Sequence, residues 1–213
     1  MTTYTMNPLY TIFDPSQSGD RPSLAIINDL LKGGSSVIQL RVKEKPAKEF
    51  LQLAVEMRRQ TSQAGCLLIV NDRVDIALAC GADGVHLGQE DLPLSAARRI
   101  MGTKLIGIST HTLEQAKEAE RGGADYIGFG PIFGSVTKET GYSPRGLPML
   151  QEIRSAVRLP MVAIGGITEA NVTKVWQAGA DAAAMIGDLI AAKDIVEKVR
   201  RVLALTQTSS ASS

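Results

Sequence analysis

Short, almost wholly apolar runs alternate along the chain with longer stretches in which apolar residues recur every three or four positions. The runs Leu9–Phe13, Val37–Leu40, Cys66–Val70, Val85–Leu87, Leu105–Ile108, Tyr126–Phe129, Met161–Ile164 and Ala182–Ile186 predict eight strands. Their lack of polar alternation is what parallel strands covered on both faces require. Between them, Leu24, Ile27 and Leu31 mark a helix stopped by Gly33-Gly34, and Phe50, Leu53, Ala54 and Met57 mark one opening near Pro46. A helix near Arg73 follows the third strand, and Leu94, Ala97 and Met101 place another after the fourth. Thr112 with Gln115 reads as a capping box ahead of Leu113, Ala116 and Ala119. Leu150, Ile153 and Val157, then Val172, Val175 and Trp176, then Ile195, Val199 and Val202, give the remaining helices.

Strict alternation of strand and helix predicts an α/β fold, and eight units in a chain of 213 residues fit a single (β/α)8 TIM barrel, with an open doubly wound sheet as the alternative. Gly-Ala-Asp recurs at Gly81, Gly123 and Gly179, each time before an even-numbered strand, where Gly ends a helix and Ala-Asp leads into the strand. The barrel is expected to occupy residues 1–205, with 206–213 as a polar, disordered tail. One connection stands out: Gly130 to Leu147 is long for a compact domain, and loops of that length are often functional.

Charge narrows the function. A formal net charge of +1 with both signs interspersed gives no general attraction to nucleic acid or anionic membrane, so phosphate binding has to be local. No apolar run approaches a membrane span, and MTTYTMNPLY lacks the basic and apolar regions of a secretory leader. Cys66 and Cys80 sit in apolar surroundings and read as buried thiols of a reducing, cytoplasmic compartment. A homo-oligomer is compatible with all of this.

In a parallel barrel, residues just past the strand ends meet at one mouth, and here those residues are polar. Asp72 and Asp91 follow two successive strands; each alone could be a helix cap or a solvated loop acid, but together they suggest a metal. Gln39, Arg41 and Lys43 alternate and face one side if the second strand continues that far. With Lys138 from the long loop, these cations beside two acids suit a diphosphate with bound Mg2+, which takes one or two carboxylates and fills its shell with phosphate oxygens. Gly165-Gly166 and Ile186-Gly187, with Ser135 and Thr137, suggest a second phosphate site where barrels often place one. His86 reads as a pocket-lining histidine and His111 as an exposed candidate for proton transfer or a loop residue without a role. Walker loop, nucleophile elbow and dinucleotide fingerprint are missing, which removes the NTPase, hydrolase and Rossmann readings.

The stretches IQLRVK (Ile38 to Lys43), VNDRVDIAL (Val70 to Leu78), GADGVHLGQEDL (Gly81 to Leu92), IGISTHT (Ile106 to Thr112), GADYIGFGPIF with SVTK (Gly123 to Lys138) and VAIGGI (Val162 to Ile167) resemble the thiamine phosphate synthase family. The resemblance implies a transferase that joins a pyrimidine diphosphate to a thiazole phosphate, releasing diphosphate, with these small molecules and Mg2+ as its partners. It implies that Gln39, Arg41, Lys43, Asn71, Ser109 and Lys138 hold the pyrimidine diphosphate. Asp72 and Asp91 match its metal ligands, and Ser135, Thr137, Gly166, Ile186 and Gly187 its thiazole phosphate site. Arg41, Lys43 and Lys138 are expected to stabilise the leaving group. Val42, Gly134 and Gly187 depart from the family pattern, and the last leaves a backbone N–H where a hydroxyl often sits. A thiazole tautomerase on the same barrel, a non-catalytic thiamine phosphate sensor and a phosphosugar isomerase or aldolase are the alternatives; none of them needs the acids and cations together.

Overall fold

The structure is a computed structural model that describes residues 6–134 and 143–209. Eight strands, β1 (Leu9–Phe13), β2 (Val37–Leu40), β3 (Leu67–Asn71), β4 (Gly84–Leu87), β5 (Leu105–Thr110), β6 (Tyr126–Phe129), β7 (Met161–Ala163) and β8 (Ala182–Met185), pair in chain order and all in parallel. Pairing of Leu9 with Ala183 closes β8 onto β1, so the sheet is a barrel and the open doubly wound alternative falls. Helices α1 (Ser23–Gly33), α2 (Ala47–Gln63), α3 (Val74–Ala79), α4 (Leu94–Met101), α5 (Leu113–Arg121), α6 (Gly146–Ala156) and α7 (Val172–Gln177) connect successive strands. Two more, α8 (Gly187–Ile190) and α9 (Ile195–Ser209), follow β8.

Because strand residues alternate in direction, the barrel makes two cores. Leu9, Phe13, Ile38, Leu40, Val70 and Phe129 point outward under the helices. Tyr10, Ile12, Ile69, Tyr126, Val162 and Ala184 fill the interior. Among the described residues, no helix is long and apolar enough to cross a membrane. Cys66 and Cys80 are buried and unbridged, as expected, and burial, helped by the negative charge of Asp83, pushes the Cys66 thiol up to about 12.

The Gly-Ala-Asp repeat does the same structural work three times. Its glycines, Gly81, Gly123 and Gly179, have φ of 70°, 80° and 100°, where a side chain would be strained. Its aspartates accept the N–H at the base of the preceding strand: Asp83 from Leu68 at 2.8 Å, Asp125 from Ile106 at 2.7 Å and Asp181 from Met161 at 2.8 Å. Each also pairs with an arginine from the helix layer, respectively Arg58, Arg98 and Arg154. The repeat therefore ties helix to sheet at the bottom of the barrel, away from the mouth.

Several elements differ from what the sequence predicts. In α1 the buried face is Ile26, Ile27 and Leu30, with Leu24 and Leu31 only half-buried, because apolar residues on two flanks leave the stripe ambiguous. Strand β3 runs one residue later than expected, while β7 and β8 stop before Ile164 and Ile186. Strand β5 continues through Thr110, so Ser109 lies within it rather than after it. The short α8 has no counterpart among the predicted helices, four residues being too few for a periodic signal. The stretch 206–213, expected to be disordered, is entered by α9, which runs to Ser209.

Candidate active site

The acids of the mouth come from adjacent strands. Immediately past β3, Asp72 has φ of 64°, and it is the only described non-glycine residue in the left-handed region. Its backbone N–H donates to the carbonyl of His86 on β4 at 2.8 Å, which fixes that conformation. Strain of this kind costs on the order of 1–3 kcal/mol and collects at functional sites. Asp91 arrives from the loop after β4, and its Oδ2 accepts the N–H of Gly88 at 2.6 Å. Burial raises the Asp91 carboxyl above the usual carboxylate range, and Asp72 beside it raises it further, against the Gly88 bond and Lys43. The two carboxylates thus lean on one another. Among the described residues no group of three or more His, Cys, Asp or Glu could hold a metal ion.

Both expected cations on the β2 side are present and already paired. Lys43 Nζ bonds Asp72 Oδ2, and Arg41 bonds Asp14 Oδ2. Strand β2 ends at Leu40, so the expected alternation does not carry Gln39, Arg41 and Lys43 out on one strand face. Arg41 nevertheless keeps a ladder bond, its N–H donating to the Phe13 carbonyl at 2.9 Å, and its side chain is oriented by Asp14. Sequence reasoning misses Asp14, because Asp14-Pro15 reads only as a turn. The residue is buried, and its Oδ1 caps the 3-10 turn Pro15–Gln17 by accepting from Ser16 N at 3.0 Å and Ser16 Oγ at 2.7 Å. Its place directly after β1, at the same end of the barrel as Asp72, is the signal that could have found it.

Gln39 and Asn71 are buried at the strand ends, and Asn71 lies opposite His86 in the β3–β4 register. Ser109 Oγ meets His86 Nε2 at 2.9 Å, and Ser109 O accepts from Gln89 Nε2 at 2.6 Å. His111 lines the cavity described below, and its Nδ1 donates to the Gly130 carbonyl at 2.6 Å. Thr112 caps Gln115 N as expected, but the Gln115 side chain returns to the N–H of His111 instead of completing a box on Thr112.

Across the barrel, after β6, β7 and β8, a cavity of about 600 Å³ is lined by Ser109, Pro131, Gly134, Gly166, Ile186 and Gly187 among others. Gly166 has φ of 63°, and a Cβ there would lie 2.4 Å from the Gly134 carbonyl, so the β6 loop packs directly on the β7 loop only because this residue is glycine. Ile132 and Phe133 continue that contact by donating to the carbonyls of Ile164 at 2.8 Å and Gly165 at 3.0 Å. Ser135, Thr137 and Lys138 lie outside the described residues. The structure thus brings Gln39, Arg41, Lys43, Asn71, Asp72 and Asp91 to the ends of β2, β3 and β4, and Gly166, Ile186 and Gly187 to the cavity, which Ser109 of β5 also lines.

A closed eight-stranded parallel barrel with charged groups gathered past the C-terminal strand ends belongs to the class of (β/α)8 barrels whose mouths bind small ligands. Its relatives narrow this further. The family model described as thiamine monophosphate synthase matches residues 9–189, and the chain belongs to that family. Thiamine-phosphate synthase of Chloroflexus aurantiacus is 45% identical over 201 residues, covering 94% of this chain and 93% of its own. That of Moorella thermoacetica is 46% identical over 195 residues, covering 91% and 93%. Thiamine phosphate pyrophosphorylase from Pyrococcus furiosus superposes with a TM-score of 0.87 at 34% identity, covering 95% of this chain and 97% of that one. A 3-hexulose-6-phosphate synthase from Salmonella typhimurium, 13% identical with a TM-score of 0.69, shares the fold alone.

Proposed function

We propose that the chain is a thiamine phosphate synthase, a transferase that joins a 4-amino-2-methylpyrimidine carrying a diphosphooxymethyl group to a 4-methylthiazole carrying a phosphooxyethyl group, plain or carboxylated. The observation that carries this reading is the pairing of Asp72 and Asp91, mutually repelling acids with Lys43 and Arg41 close by, opposite a glycine-walled cavity in a member of this family. The acids fit Mg2+: both offer oxygen donors, they number two, and the raised proton affinity of Asp91 is relieved by a hard cation. Bound there, Mg2+ would supply charge for the departing diphosphate.

Gln39, Arg41, Lys43, Asn71, Ser109 and Lys138 take the pyrimidine diphosphate in this reading, and Ser135, Thr137, Gly166, Ile186 and Gly187 the thiazole phosphate. The bond from the pyrimidine methylene to the diphosphate oxygen breaks with its electron pair leaving on oxygen. The ring-stabilised cation that remains is captured by the thiazole nitrogen, whose lone pair forms the new C–N bond. No base is needed in that step, so the protein's work is charge stabilisation of the leaving group by Arg41, Lys43 and Lys138 and alignment of the two rings. Arg41 and Lys43 begin in ion pairs with Asp14 and Asp72, and phosphate oxygens compete for the same donors.

An assay with both precursors, with and without Mg2+, tests the proposal. Diphosphate and thiamine phosphate should form in equal amounts, only with both substrates, and Lys138→Ala should lower the single-turnover rate by about 10²–10³. Isomerisation of a thiazole without the pyrimidine would instead indicate the tautomerase.

A further inference from the structure

Five polar side chains form an unbroken line through the barrel interior, and the proposed function uses only its two ends. Gln39 Nε2 on β2 donates to Tyr10 Oη on β1 at 3.0 Å, and Tyr10 Oη meets Tyr126 Oη on β6 at 2.8 Å. Tyr126 Oη meets His86 Nδ1 on β4 at 3.1 Å, and His86 Nε2 meets Ser109 Oγ on β5 at 2.9 Å. Two orders of protons satisfy all four contacts, and in one of them each group donates to the next, from the Gln39 amide to Ser109 Oγ, with the His86 proton on Nε2. In that order Ser109 accepts inside the barrel and keeps its own proton for an acceptor in the mouth, where it also lines the cavity.

The strands make room for this line. A Cβ on Gly107 would lie 2.1 Å from Tyr126 Cζ, and one on Gly128 would lie 3.0 Å from His86 Cε1. Glycine inside a strand weakens it, and an apolar filling would satisfy the core at least as well as buried hydroxyls. Stability alone therefore does not account for the arrangement. It joins two residues that the functional reading places on the same substrate, and it fixes both from within.

We infer that Tyr10, Tyr126 and His86 are positioning residues that hold Gln39 and Ser109 in a preset geometry for the pyrimidine diphosphate. This rests on the assignment of Gln39 and Ser109 to that substrate. The reaction depends on alignment, and small misplacements of aligned groups cost about 10²-fold in rate. Tyr126→Phe keeps the ring in the space opened by Gly107 and removes only the hydroxyl that connects the two halves; Tyr10→Phe releases the Gln39 end alone.

Both variants should lose kcat by about tenfold to a hundredfold, leaving KM for the thiazole phosphate within about twofold. In a Ser109→Ala background, Tyr126→Phe should lose less than it does alone, because the part of its effect that passes through His86 to Ser109 is already gone. Folded variants with near-normal kcat, or with losses that multiply independently of Ser109→Ala, would overturn the inference and reduce the line to core structure. If the wild-type protein makes no thiamine phosphate, the functional reading fails and crystal structures of the same variants decide the network. Displaced Gln39 or Ser109 side chains would then support it, and unchanged ones would overturn it.

Discussion

At the scale of single residues, Asp72 combines strain and chemistry. Its φ of 64° is a conformation that glycine adopts without penalty, and its carboxylate also faces Asp91. Replacement by glycine removes both burdens, while alanine removes only the charge. Asp72→Gly should therefore be more stable than Asp72→Ala by about 1 kcal/mol, with both proteins folded and both slowed by at least about 10². Thermal denaturation alongside single-turnover rates checks this, and equal stabilities would mean that the left-handed turn carries no strain. Asp14→Asn is the companion test. It retains an oxygen for Ser16 but loses the ion pair with Arg41, and should cost about tenfold in kcat with little change in melting temperature. Asp72 and Asp91 are legible in the sequence because each closely follows an apolar strand. Asp14 is equally well placed but is hidden by the turn-forming proline beside it.

At the scale of elements, legibility depends on how local the signal is. Eight apolar runs locate eight strands, since a buried parallel strand writes its own pattern. His86 reads as a pocket-lining histidine, but the line from Gln39 to Ser109 is illegible because Tyr10 and Tyr126 sit in runs that merely read as strand. Only closure of the barrel brings residues from five strands together. Gly107 is the element-scale counterpart of that network: its strand, β5, accepts a glycine so that the Tyr126 ring can cross in front of it. Gly107→Ala should cost about 1–3 kcal/mol by overpacking, and Tyr126→Phe should not rescue it, because the clash is with ring carbon as much as with oxygen. Urea denaturation of the single and double variants measures both claims.

At the scale of the whole molecule, the last helix closes the outer layer by packing against α1, α7 and α8. Helix α9 packs on α1, and Lys198 and Arg201 reach from it to Glu169 in the loop after β7, with Lys198 also bonding Asp188 in α8 at 2.9 Å. The Arg201 and Lys198 bonds hold the Glu169 carboxyl down at about 2, below its ordinary value. A carboxylate whose folded affinity for protons is lowered stabilises the protein above its unfolded pKa, near 4.5, and loses that contribution as pH falls towards 2. The cluster is solvent-screened, which limits its worth to about 1 kcal/mol. Glu169→Gln should therefore lower stability by about that amount at pH 7, equivalent to about 2–4 °C in melting temperature. The gap between wild type and variant should narrow between pH 4.5 and pH 2, and should also shrink at about 1 M salt. Thiamine phosphate formation should be unaffected, since the Glu169 carboxylate is bonded to Lys198 and Arg201 of α9 and Glu169 does not line the cavity. A gap that persisted unchanged at pH 2 would show that the glutamate acts by packing and not by charge.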